Sequence, residues 1–148
     1  MLKLEDILTE WQKDSEINQA RLDQASVDTA KLHAKYLQWL SVAKLQLKRQ
    51  QMNQKTLLKE KWRWYNGKMS QEEMDTKGWA YDPFDGLKVM KGDMDYYYDS
   101  DPEIQKSEEK ITYYKTIVET LTEIVDALKW RHTHIGNIIK WKQFESGA

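Results

Sequence analysis

The stretch LLKEKWRWYNG, residues 57–67, closes the longest uninterrupted segment of the chain. From Asn18 to Asn66 there is neither proline nor glycine, and Gly67 then supplies the residue type with which helices commonly end. Asn18 suits an N-cap, with Ile17 and Leu22 at the two positions of a hydrophobic staple. An apolar stripe follows at three- and four-residue spacing: Leu22, Ala25, Thr29, His33, Tyr36, Leu37, Leu40, Ala43 and Leu47, resuming at Leu58, Trp62 and Tyr65. Between Leu47 and Leu57 only Met52 is apolar, so that part of the helix has little to bury. At about 1.5 Å per residue such a helix reaches roughly 70 Å. That length calls for an extended hairpin or an oligomer rather than a compact globule.

Working outward, residues 1–16 read as a short amphipathic helix, with Leu4, Ile7, Leu8 and Trp11 on one side. Residues 17–66 are the long helix. Residues 67–101 are irregular and acidic. Within them Ser70 and Glu73 suit a capping box for a short helix ending at Gly78. A turn at Pro83 to Gly86 invites a small β-hairpin between Trp79–Tyr81 and Leu87–Met90, with MDYYY as a further extended piece. Residues 102–148 form the last helical part. Asp101 is its N-cap and Pro102 its first position. Ile104, Ile111, Tyr114, Val118, Leu121, Val125 and Leu128 line its face, and Ile117 and Ile124 widen it. A kink or restart is expected near His132 to Gly136. The fold class is therefore mainly α, a long helical hairpin or bundle in a single domain, with a small irregular or β-hairpin insertion.

Composition narrows the function. Charged residues make up 32% of the chain and there is no cysteine, which leaves no disulfide framework, thiolate metal site or cysteine nucleophile. No apolar run is long enough for a signal peptide or a membrane span, so a soluble intracellular protein is expected. His132 and His134 are two apart and point to different sides of a helix, so no metal site follows from them. GDMDYYYDSDPE lacks the glycine that a calcium loop needs at its sixth position, and no Gly-rich phosphate loop or catalytic triad can be assembled. An enzyme and a bound cofactor are not expected.

The net charge of −1 conceals a strong asymmetry. Residues 44–68 carry eight basic groups (Lys44, Lys48, Arg49, Lys55, Lys59, Lys61, Arg63, Lys68) against one acidic group, Glu60, a balance of +7. Residues 69–110 carry five basic and twelve acidic groups, a balance of −7. A solvated helix face usually mixes signs to gain i, i+4 pairs; this one does not. On a helical wheel Leu58, Trp62 and Tyr65 share the packing stripe. Lys55, Lys59 and Arg63 line one flank, which Lys44 and Lys48 extend. Lys61, Leu57 and Trp64 lie on the other flank, where Trp64 is the candidate for base stacking or a subunit contact. A cationic groove with stacking aromatics suits single-stranded nucleic acid. An acidic protein partner, or the 69–110 block of a neighbouring subunit in a purely structural assembly, fits the same charge pattern.

LLKEKWRWYNG resembles the Leu-Lys-Ala-Arg plus aromatic-pair motif of the UvsY family of phage recombination mediators. AKYLQWL before the basic block, and IVDALKWR through KWKQFESG at the C-terminus, resemble the same family in order and spacing. The likeness spans most of the chain and is weakest over 67–103. It implies an α-helical subunit of a homo-oligomeric ring, a hexamer or heptamer, in the host cytoplasm. It further implies sequence-independent binding of single-stranded DNA. The family's role is to help load a RecA-like recombinase onto DNA coated with single-strand-binding protein. The two basic motif positions fall on Lys59 and Lys61. The family's C-terminal self-association falls on the last helix, including Ile135, Ile138, Ile139, Trp141 and Phe144. Glu60, Lys61 and Arg63 depart from the motif and shift the expected DNA contacts toward Lys59 and Arg63.

Overall fold

The computed structural model describes residues 2–147. Five α-helices account for most of them: α1 (Leu4–Asp14), α2 (Leu22–Tyr65), α3 (Gln71–Lys77), α4 (Met94–Ser100) and α5 (Pro102–Glu145). No strand occurs among the described residues. The chain packs as two compact units, one of residues up to Leu47 together with those from Tyr113 on, the other of Lys48–Thr112.

The first unit is a helical core. Ile7 of α1 and Tyr36, Leu40 and Ala43 of α2 pack with Tyr114, Ile117, Leu121, Ile124, Val125 and Leu128 of α5. These are the positions that the 3.6-residue period selects, and each large apolar side chain so buried contributes about 2 kcal/mol. Leu8 of α1 is half exposed, so the α1 stripe is narrower than its sequence suggests. The start of α2 also differs. Asn18 spends its side chain on the Ala20 amide (3.0 Å), making a local turn, and the helix ladder begins one turn later with Ala25 N–H to Arg21 C=O at 3.0 Å. Buried Arg131 donates to the carbonyls of Asp14 (2.8 Å) and Glu16 (3.0 Å), satisfying groups that the end of α1 leaves open. α5 runs through Gly136 without a break. A helical glycine costs only about 1 kcal/mol, and Ile135 beside it is buried.

The second unit folds the acidic segment onto the end of α2. Ser70 caps α3 by accepting the Glu73 amide at 3.2 Å, and Gly78 ends it at φ 72°. The anticipated hairpin does not form. Asp82 instead accepts the amides of Phe84 (2.9 Å) and Gly86 (2.7 Å), and Asp85 and Gly86 both take positive φ. The turn lays Phe84 against Tyr65 and Tyr97, at ring separations of 5.8 and 5.0 Å. MDYYY is helical, forming most of α4, with Tyr97 and Tyr98 on Tyr65. Aromatic packing on a helix end has won over strand pairing, since a two-stranded hairpin alone is marginal. Asp101 is the N-cap of α5, accepting the amides of Glu103 (2.9 Å) and Ile104 (3.1 Å).

Candidate nucleic-acid interface

α2 ends in a Schellman motif. Lys68 N–H bonds to Arg63 C=O at 2.8 Å, Gly67 N–H bonds to Trp64 C=O at 3.2 Å, and Gly67 sits at φ 67°. The motif fixes which side chains of LLKEKWRWY face the unit's interior, and the face differs from the one that hydrophobicity selects. Leu58 and Trp62 point outward, and Trp62 is 48% exposed. The inward positions are Leu57, Lys61, Trp64 and Tyr65.

Lys61 is therefore no surface cation. It is 3% exposed, and its Nζ lies 3.1 Å from Asp101 Oδ2 and 3.4 Å from Glu103 Oε1. The same Nζ sits 4.6 Å from the Trp64 ring centre and 4.0 Å from that of Trp79. Tyr65 donates its hydroxyl to Asp101 Oδ2 at 2.6 Å. Burial by itself would raise the Asp101 carboxyl pKa. The Tyr65 hydroxyl, the Ile104 amide and Lys61 outweigh it and hold the group below the usual carboxylate range. Trp64 is equally engaged: its Nε1 donates to Ala80 C=O at 2.8 Å and its ring packs on Trp79 and Tyr65. The sequence placed Lys61 and Trp64 on an outward flank. In the structure they form the inner wall, because an ion pair with Asp101 and a roof from residues 79–80 make burial possible. Counting 3.6 residues per turn on from Leu57 does reach Lys61 and Trp64, with Tyr65 the next residue. The signal was obscured because one inward position is a lysine.

The outward face of α2 in this unit holds Lys48, Arg49, Met52, Lys55, Leu58, Lys59 and Trp62, all exposed. Among the described residues none of these cations is ion-paired. Lys68, just past the helix, brings its Nζ to 5.2 Å from the Trp62 ring centre. Arg63 is committed elsewhere, to the Glu73 carboxylate at 2.9 Å and the Lys68 carbonyl at 3.3 Å. Glu60 is paired with Lys77 at 3.0 Å. Lys44 is exposed on the part of α2 that belongs to the first unit. The sequence reading missed Trp62 and Lys68 as surface partners, because it assigned Trp62 to the core.

Of the five C-terminal positions singled out for self-association, Ile135 is buried within its own unit and Ile138 is half-buried. Ile139, Trp141 and Phe144 are exposed, and Trp141 stacks on Phe144 at 5.5 Å. Among the described residues no group of three or more acidic or histidine side chains converges to hold a metal, and no helix is long and apolar enough to cross a membrane.

Residues 10–148 match the family model for "Recombination, repair and ssDNA binding protein UvsY". The chain is similar to the recombination protein uvsY of Enterobacteria phage T4, with 24% identity over 146 residues and 99% of each chain covered. It also superimposes on crystal structures of the bacteriophage T4 recombination mediator protein UvsY. The lattice type II form gives a TM-score of 0.81 at 23% identity, covering 99% of each chain. The lattice type IV form gives 0.79 at 22% identity, covering 97% of this chain and 99% of that one.

Proposed function

This chain belongs to the UvsY family, and from that premise we propose that it is a recombination mediator. It binds single-stranded DNA without sequence preference and helps a RecA-like recombinase replace single-strand-binding protein on that DNA. The observation that carries the DNA reading is the division of the cations. Part of the +7 and −7 blocks cancels within one chain, through Lys61 with Asp101 and Arg63 with Glu73, while Lys77 takes up Glu60, the one anion of the basic block. The exposed face keeps Lys48, Arg49, Lys55 and Lys59 on one side of a rigid helix with no anion among them. A row of that kind tracks a phosphate backbone and reads no base edges. It favours the DNA reading over one in which the two blocks exist only to join subunits.

Each subunit offers a few phosphate contacts. A homo-oligomer of such subunits gains affinity through effective concentration, and one strand held by several subunits is in the extended form a recombinase can take up. Trp141 and Phe144 supply the exposed apolar surface for self-association. Fluorescence anisotropy with a labelled oligothymidylate across a salt series tests the reading. Three engaged lysines give a log–log slope of about −2 for each subunit engaged, at −0.7 per phosphate on a single strand. No binding at low salt overturns it. Replacing Trp141 and Phe144 together by serine should lower the mass seen by light scattering, and an unchanged mass removes them from the interface.

A further inference from the structure

We propose that Trp62 is a base-stacking position: its ring takes a nucleobase of the single strand, while Lys55, Lys59 and Lys68 hold the flanking phosphates. The inference rests on the single-stranded DNA reading and adds to it a residue that the motif lysines do not supply.

Three tryptophans cluster where α2 meets the acidic segment, and only one is spare. Trp64 donates to Ala80 and stacks on Trp79, and Trp79 donates its Nε1 to Glu103 at 2.6 Å and covers Lys61. Trp62 makes no ring–ring contact among the described residues and is 48% exposed. It shares its helix face with Lys59, three residues before it, and Lys55, seven before it, so the three lie in one row. The Schellman motif adds a fourth member. In that motif the residue after the capping glycine contacts the side chain one turn back from the helix end. Here that residue is Lys68 and the contact is the Trp62 ring. A lysine over part of the ring leaves the rest open and adds a cation beside it. The one acidic residue of the motif, Glu60, turns away to Lys77. An aromatic face with Lys68 beside it and Lys59 and Lys55 one and two turns back along the same row suits a stacked base with phosphates on either side.

The competing role for Trp62 is to be the apolar contact of the cap, which leucine would fill as well. The experiment uses that difference. The full chain and its Trp62→Leu and Trp62→Tyr variants are titrated at low salt with an oligothymidylate, an abasic oligonucleotide of the same length, and polyglutamate. Thermal unfolding of each variant is recorded in parallel. Trp62→Leu should lower affinity for the oligothymidylate by roughly 5- to 150-fold, the span of one base–aromatic stack. It should leave the abasic strand unaffected, and Trp62→Tyr should recover most of the loss. Equal losses on both strands, or no loss on either, overturn stacking while the DNA reading stands. No binding of either strand by the wild type overturns the DNA reading itself. Tighter binding of polyglutamate than of oligothymidylate assigns the face to an acidic protein and overturns both.

Discussion

The two units contain the same three-residue arrangement in different surroundings. In the first, Lys35 Nζ and the Tyr36 hydroxyl both reach Asp14 Oδ2 at 2.8 Å. In the second, Lys61 Nζ and the Tyr65 hydroxyl both reach Asp101 Oδ2, at 3.1 and 2.6 Å. Each time α2 supplies the lysine and the tyrosine, and another helix supplies the aspartate at its end. The side chains of Lys35 and Asp14 are 29% and 21% exposed, while those of Lys61 and Asp101 are 3% and 2% exposed. Each lysine has a second carboxylate, but Lys35 holds Glu10 at 2.8 Å on an accessible surface, whereas Glu103 stands 3.4 Å from the enclosed Lys61. Asp101 spends its other oxygen on the first turn of α5. The same contacts therefore carry different stakes. A water-accessible pair is worth little, whereas removing one partner of a buried pair strands a charge.

Aspartate removal should show the largest gap. Asp101→Ala deletes the nearer partner of Lys61, leaving it only the half-exposed Glu103 at 3.4 Å, and it removes the acceptor of Tyr65 and a helix cap. We expect a loss of about 5 kcal/mol, from 3–5 for the broken buried pair plus ~1 for the cap. Asp14→Ala leaves Lys35 on Glu10 and should cost about 1–2 kcal/mol. Urea unfolding of both at one protein concentration checks this, and equal losses would refute the contrast. Next in size is the lysine comparison. Lys61→Ala should destabilise by about 3 kcal/mol. Lys59→Ala should stay within ~0.5 kcal/mol of the wild type while making the salt slope of DNA binding about 0.7 shallower. A Lys61→Ala chain as stable as the wild type would return Lys61 to the surface.

Acid should separate the two arrangements further. Both aspartates have folded pKa values below the ordinary aspartate value of 3.8; in each case burial pulls the other way and is outweighed, by Tyr65, the Ile104 amide and Lys61 at Asp101, and by Lys35 and Tyr36 at Asp14. The stability they contribute is complete above 3.8 and drains away as pH falls through the folded values. Asp101→Asn should remove more of the pH 7-to-3 stability drop than Asp14→Asn does. Equal effects would mean that burial does not set the coupling.

Where periodicity was carried by apolar residues, the sequence was legible. Tyr36, Leu40 and Ala43, and the series from Ile104 to Leu128, are where spacing put them, and Ser70, Gly67, Gly78 and Asp101 cap as their chemistry requires. Legibility failed where polar residues occupy inward positions. Lys61 breaks the apolar pattern of its own face, so hydrophobicity alone selects Leu58 and Trp62, and the two tryptophans of the motif exchange roles between sequence and structure. The partner that makes Lys61 buriable lies forty residues on, and no local pattern links them. The residue that was to offer the DNA a free ring, Trp64, is held by Ala80 and Trp79. Lys55 and Lys59 were identified correctly as exposed, because nothing in their row competes for them.

The smallest expected effect concerns the cation between these extremes. Arg63 is neither buried like Lys61 nor free like Lys59. It is 35% exposed and held by Glu73, itself 43% exposed. Glu73 is also the third residue of a capping box, and it has given its carboxylate to Arg63. Glu73→Gln keeps the size and hydrogen-bonding capacity of the side chain and removes its charge. A half-exposed pair of this kind should cost less than ~1 kcal/mol to lose. The released guanidinium lies on the same helix end as Lys59, so it should gain a phosphate. Affinity for an oligothymidylate should then rise two- to five-fold at low salt, and the salt slope should steepen by about 0.7. A slope that stays the same would put Arg63 outside the path of the strand, which would then run along Lys48, Lys55 and Lys59 and leave the helix at Trp62.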